Sequence, residues 1–203
     1  MRALTADLID WVTKGTEPPP SRYPRLDRGE LVPAKQSAMK FPSIPGVPAP
    51  EALVNPVYDY DFGPDFRYGD ESGVITKQPP SVRQILPTLV PKVDADGNDM
   101  AGVPSVLRQA PLGTYLGWNI TAAGFHKGQI CNYAGGMIPF ARNKAERAAN
   151  EDPRPSLEER YRDHAGYVAA VTAAARNAVA AGFLLENDAK SLIAAADASN
   201  VLK

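Results

Sequence analysis

The chain of 203 residues is poor in the side chains that do covalent chemistry, with one cysteine and two histidines. A lone thiol, Cys131, excludes an internal disulfide framework and leaves the redox compartment open. One Cys and two His are also too few ligands for a clustered zinc-type site. No apolar run approaches the roughly 18 residues that a membrane span needs. Charge of one sign is missing as well, since 22 Lys and Arg stand against 23 Asp and Glu. That balance exerts no long-range pull on nucleic acid or an anionic membrane, and neither is expected as a partner. The densest basic stretch, from Arg142 to Arg162, is interleaved with Glu146, Glu151, Asp152, Glu158 and Glu159. It reads as a solvated, ion-paired surface rather than a phosphate-binding stripe.

Proline is plentiful until Pro111 and scarce after it: 17 of the 20 lie at or before that residue, and only Pro139, Pro153 and Pro155 follow. Proline removes a hydrogen-bond donor and breaks helix interiors, so long helices in the first half are confined to its start. There, Leu4, Leu8, Trp11 and Val12 share one face at helical spacing, and Gly15 stands where a C-terminal cap belongs. A helix over about 2–14 is predicted, and its apolar face needs a packing partner. The first residues read as an amphipathic helix with an early acid, Asp7, and not as a signal peptide; localisation stays unassigned.

The fold class expected is α+β: an N-terminal helix, a long Pro-rich extended segment, short antiparallel β-hairpins and a C-terminal helical, bundle-like segment. Residues 16–56 form the Pro-rich connection, pinned by Tyr23, Leu26, Leu31, Phe41 and Ile44. Residues 57–138 are β-rich, with short strands from Val57 to Phe62 and from Val74 to Thr76. Stretches 85–93 and 101–107 flank the turn sequence DADGND (94–99) and are expected to pair as a hairpin, with Pro87 and Pro91 marking an edge. Residues 139–203 are helical and form one compact unit with the β-rich region. Asn143 with Glu146, and Ser156 with Glu159, have the form of helix-capping pairs. Leu157, Tyr161, Val168, Val171, Ala175 and Val179 continue as one apolar stripe to Gly182, and a last helix over about 187–197 turns Leu192 and Ile193 inward.

Serine hydrolysis requires a nucleophile on a sharp turn, a histidine base and an acid that orients it. None of the nine serines is preceded two residues earlier by glycine, so the G-x-S-x-G elbow is missing. His126, in the sequence GFHKG, reads as a loop residue, and His164 as a packing histidine inside the long helix. Cys131 follows apolar residues and reads as a small buried hydrophobe. Asp94, Asp96 and Asn98 match the opening of a calcium loop, but Asp99 and Ser105 occupy the positions that need glycine and glutamate, which leaves a plain turn. Asp59, Asp61 and Asp65 could line a site or be surface acids. The aromatic group Tyr115, Trp118, Phe125 and Tyr133 reads as core. No catalytic, cofactor-binding or metal-binding residue is assigned, and no cofactor is expected.

Five segments together resemble one family: residues 11–24 (WVTKGTEPPPSRYP), 90–98 (VPKVDADGN), 111–119 (PLGTYLGWN), 139–141 (PFA) and 152–161 (DPRPSLEERY). In this order they are similar to the C-terminal part of a bacterial family, the α/β-hydrolase domain-containing proteins. The resemblance implies an ester hydrolase whose catalytic serine and histidine lie upstream of this segment. Residues 1–15 would be the last helix of the hydrolase core, and the rest an extension packed on it. The expected function is therefore the catalytically incomplete C-terminal region of an esterase-like protein. The partner implied is a hydrolase core chain, or a second copy, held through Leu4, Leu8, Trp11 and Val12. The alternatives are a non-catalytic binding or structural module that docks on a partner chain, and a complete enzyme using His126, Cys131 or nearby acids.

Overall fold

In a computed structural model, which describes residues 1–50, 56–70, 73–132 and 135–203, helices and two-stranded antiparallel sheets make a mixed α+β fold. The first helix, α1 (Arg2–Lys14), ends at Gly15 in the left-handed region, with φ of 72°. The amide of Gly15 returns to the Trp11 carbonyl at 3.0 Å, satisfying one of the helix's open acceptors.

The Pro-rich segment holds only a 3-10 turn (Leu26–Arg28), strand β1 (Leu31–Pro33) and the single-turn helix α2 (Gln36–Met39). It is nonetheless part of the core. Met39, Phe41 and Ile44 pack with Val93, Leu116 and Trp118 in one apolar cluster, and Val32, Val47, Val90, Ile120, Ile130 and Ile138 surround them. Tyr23 and Leu26 differ from expectation, since both are exposed. The pins lie further along, at Met39, Phe41 and Ile44.

Strand β2 (Val57–Asp61) pairs with β3 (Ser81–Leu86), and a bulge interrupts the register between Asp59 and Tyr60. No strand forms at 74–76; the amides of Thr76 and Lys77 both donate to the Phe62 carbonyl, which holds this stretch as a loop. The expected hairpin around residues 94–99 shrinks to one bridge, Val93 to Asp99. Strand β4 (Leu89–Pro91) pairs with β1 instead. Residues 101–107 are not a strand: Pro104 offers no N–H to a ladder, and Ser105 accepts from Arg108 to start the short helix α3 (Val106–Gln109).

Two antiparallel pairs follow in nested order, together called the ribbon. Its base is β5 (Gly113–Leu116) with β8 (Gly136–Pro139), and its outer part is β6 (Asn119–Ile120) with β7 (Ile130–Asn132). Helices α4 (Lys144–Ala149), α5 (Leu157–Tyr161), α6 (His164–Ala180) and α7 (Glu186–Ala198) complete the chain. A second apolar cluster, Ala110, Tyr161, Tyr167, Val171 and Ala196, joins α3, α5, α6 and α7.

The stripe read as one helix from 157 to 182 is two. Arg162 adopts a positive φ of 68°, and Asp163 restarts the chain by accepting from the Gly166 amide. Gly166 is required by close approach, because a Cβ there would lie 1.9 Å from the Tyr161 carbonyl oxygen. Leu192 of α7 is exposed rather than inward, and Ala189 and Ala196 take the buried positions.

Gly97 is another glycine that the fold needs. Its φ is 82°, and a Cβ would meet Thr114 Cγ2 at 2.9 Å and the Phe41 ring at 3.0 Å. Left-handed strain and overpacking therefore add. Gly97→Ala is expected to cost about 2–4 kcal/mol of unfolding free energy, measured by urea denaturation.

Candidate functional site

Among the described residues, the buried polar ones converge on one place. Asp96, Asn98, Thr114, Asp152, Arg154 and Ser156 are all buried, drawn from the 94–99 turn, β5 and the segment before α5. Such a set is stable only if its hydrogen bonds close internally.

Arg154 is the hub and is 2% exposed. Its guanidinium carries five N–H donors, and five acceptors meet them. Nε and Nη2 donate to the two carboxylate oxygens of Asp152 at 2.9 and 2.6 Å. Nη1 donates to Thr114 Oγ1 at 2.8 Å and to the Ile138 carbonyl at 3.0 Å, and Nη2 also reaches the Pro139 carbonyl at 3.2 Å. The DPRP sequence prepares this geometry: Pro153 and Pro155 fix the backbone on either side, and the Arg154 amide itself donates to Asp152 at 2.9 Å.

Thr114 relays the network by donating to the Asp96 carbonyl. Asp94 Oδ1 accepts from the amides of Asp96 and Asn98 at 2.9 and 3.0 Å, which shapes the turn. Asn98 then spans to β5, donating to the Gly113 carbonyl at 3.1 Å and accepting from the Tyr115 amide at 2.8 Å. Arg160 of α5 pairs with the Asp96 carboxylate. The Phe140 ring meets both cations, 5.1 Å from the Arg154 guanidinium and 4.1 Å from that of Arg160. The knot thus joins the ribbon base, the acidic turn and the helical third.

Electrostatics agree with a closed structural unit. Burial pushes the Asp152 carboxyl up, but the hydrogen bonds and charge of Arg154 outweigh it, and the net shift is downward. Beside it, Glu159 is held at about 2, chiefly by the Ser156 amide, then by the Ser156 hydroxyl and Arg147. Ser156 and Glu159 form a full capping box on α5. Tyr161 is pushed up by burial and donates its hydroxyl to the Pro111 carbonyl at 2.7 Å.

The residues considered for chemistry are not brought together. His126 is exposed in a turn with φ of 64°, its ring against Phe125 at 4.0 Å between centroids. His164 is the first residue of α6, not an interior helix residue, because the helix restarts at Asp163. Its Nδ1 lies 2.8 Å from the Val201 carbonyl and its Nε2 3.0 Å from the Asp197 carbonyl, so the ring clasps the C-terminal turn. Cys131 is exposed and not a buried hydrophobe. Alternation in β7 explains this, since Ile130 packs on the first cluster and its neighbour faces outward.

Several serine hydroxyls serve backbone structure: Ser105 and Ser156 as caps, Ser191 on the Asn187 carbonyl and Ser199 on the Ala196 carbonyl. Asp59 accepts from Tyr68 and Gln84, and Asp61 pairs with Lys77 at 2.7 Å and Arg83 at 3.2 Å. The Lys77 hydrogen bond is the main reason Asp61 sits at about 2, the opposite of what a general acid requires. Asp65 is exposed. Trp118 is buried and Tyr115 half-buried, whereas Phe125 is 89% exposed; Tyr133 lies outside the described residues. Among the described residues no group of three or more His, Cys, Asp or Glu is placed to hold a metal ion. No helix among them is long and apolar enough to cross a membrane.

The knot is the feature that sequence reasoning missed. The basic stretch is ion-paired as expected, yet Arg154 and Asp152 are buried rather than solvated. The available signal was an Asp and an Arg two residues apart, each followed by proline, a spacing that presents a carboxylate to its neighbour's fork. Comparison with known proteins places the same segments in context. A family model described as an alpha/beta hydrolase domain matches residues 1–194. No curated protein and no solved structure matches the chain.

Two outcomes follow from the knot. Arg154→Met leaves the Asp152 carboxylate buried and unpaired, and is expected to cost about 3–5 kcal/mol of stability in chemical denaturation. Glu159 has a folded value depressed from 4.5 to about 2, so its contribution is present above about pH 4.5 and lost as pH falls toward 2. Glu159→Gln keeps an acceptor at the cap but does not titrate. Across that window the variant's melting temperature is expected to fall less than the parent's.

Proposed function

This chain belongs to the alpha/beta hydrolase domain family, and from that premise we propose that it is the C-terminal region of an esterase-like protein, catalytically incomplete by itself. In this reading, residues 1–15 are the last helix of a hydrolase core and residues 16–203 an extension that packs on it. The serine nucleophile and histidine base belong to that core, outside these 203 residues.

The observation that carries the proposal is the open face of α1. Leu8 is 54% exposed, Trp11 52% and Val12 77%, with Leu4 and Ile9 also exposed, and Ala3 is the buried residue of the helix. The Arg2–Asp188 ion pair at 2.9 Å ties the start of α1 to α7 and leaves this face outward. Covering such side chains is worth about 1.5–3 kcal/mol each, which favours a partner surface over solvent. A hydrolase core would offer that surface, and membership of the family is the reason to prefer it to a second copy of the chain. The knot supports the same division of labour, because its donors and acceptors are consumed in holding the extension together.

The isolated chain is expected to leave p-nitrophenyl acetate unhydrolysed and to resist a fluorophosphonate probe. Stoichiometric labelling of a serine would overturn the proposal. Leu8→Asp combined with Val12→Asp is expected to reduce binding of the dye ANS while leaving the melting temperature within a few degrees. An ANS signal unchanged by that pair would place the sticky surface elsewhere. Sedimentation of the parent chain separates the rival occupant, because a stable dimer abolished by the pair would identify a second copy as the partner.

A further inference from the structure

A groove of about 570 Å³ lies between residues 20–30 and residues 100–108. Arg22, Arg25, Arg28 and Arg108 line it, and Glu30 is the one carboxylate among its described lining residues. This concentration is not inherited from the whole chain, whose formal net charge is −1.

The acids nearby neutralise it only in part. Asp27 is engaged by Arg25 through Nε at 2.8 Å and through Nη2. The Glu30 carboxylate accepts from the Arg25 backbone amide at 2.8 Å, which turns it toward the chain. Arg108 is held by uncharged groups, its Nη1 donating to the Ala101 carbonyl at 2.7 Å and the Asp99 carbonyl at 3.3 Å. That anchoring fixes the guanidinium without a carboxylate in direct contact. Arg22 and Arg28 form no direct ion pair among the described residues, although the Asp27 carboxyl feels the charge of Arg28. Asp99 lies near Arg108 without contacting it; burial pushes its carboxyl upward, and the charge of Arg108 partly offsets this.

We propose that this groove binds a small organic oxyanion, a carboxylate or a phosphate, through Arg22, Arg28 and the anchored Arg108. Guanidinium forks match the paired oxygens of both groups, and a concave wall keeps them from full screening by solvent. Pro20, Met100 and Pro104 add an apolar border suited to the carbon portion of the ligand. The site is independent of what covers α1, so it stands or falls separately from the hydrolase reading.

The test is titration of the chain at low ionic strength with succinate and, separately, inorganic phosphate, followed by calorimetry. Saturable binding of at least one is expected, and the tighter arm identifies carboxylate or phosphate as the preferred group. Arg22→Met with Arg28→Met, both on exposed side chains, is expected to weaken that binding at least tenfold. Arg176→Met, at an exposed arginine of α6, is the control and is expected to change it less than twofold. No saturable binding of either anion, or an equal loss in the Arg176 variant, would overturn the proposal.

Discussion

A buried guanidinium whose five donors are all accepted is the constraint on which this fold depends. Taking Arg154 and Asp152 out of water is costly, and the pair is tolerable only because every polar atom finds a partner. Those partners come from separate parts of the chain: Thr114 on β5, the Ile138 and Pro139 carbonyls on β8, and Asp152 before α5. The ribbon base and the helical third therefore cannot shift relative to each other without stranding a charge. Through Thr114 the acidic turn is included, and through Gly97 the turn presses on Phe41 of the Pro-rich segment. One side-chain cluster thus gives a proline-dense, strand-poor chain a single arrangement that apolar burial alone would leave underdetermined.

Local signals in the sequence were read well where one residue type dictates one geometry. The helix ended by Gly15, the cap at Asn143 and the capping box at Ser156 and Glu159 all form. The mixed α+β class and the family resemblance were legible too. Partner choice was not. Nothing local says that Leu89–Pro91 pairs with Leu31–Pro33 across nearly sixty residues instead of closing a hairpin on the adjacent turn. The break at Arg162 was hidden because an apolar stripe continued through it, although Asp163 with Gly166 three residues later was a cap signal. Burial of Arg154 was missed because alternating charges usually indicate solvent. Only the three-dimensional meeting of β5, β8 and the DPRP segment turns that pair inward.

For function, the division between consumed and open groups is the informative one. Histidine nitrogens at His164, serine hydroxyls at the caps and the carboxylates of Asp59 and Asp61 are engaged in shaping backbone or surface. The open features are of other kinds: an apolar helix face and a groove rich in arginine. A region that holds its own shape with a polar knot and turns an apolar helix outward is suited to packing on a catalytic body.

The most direct test of the knot as organising constraint is a double-mutant cycle on Asp152 and Arg154, using Asp152→Leu, Arg154→Met and the pair, each unfolded in urea. If the two charges are tolerated only through each other, the double variant will be less destabilised than the sum of the singles, by about 2 kcal/mol or more. Additive losses would contradict the account, since they would mean that each side chain contributes through its own packing and that the buried ion pair does not hold the fold together.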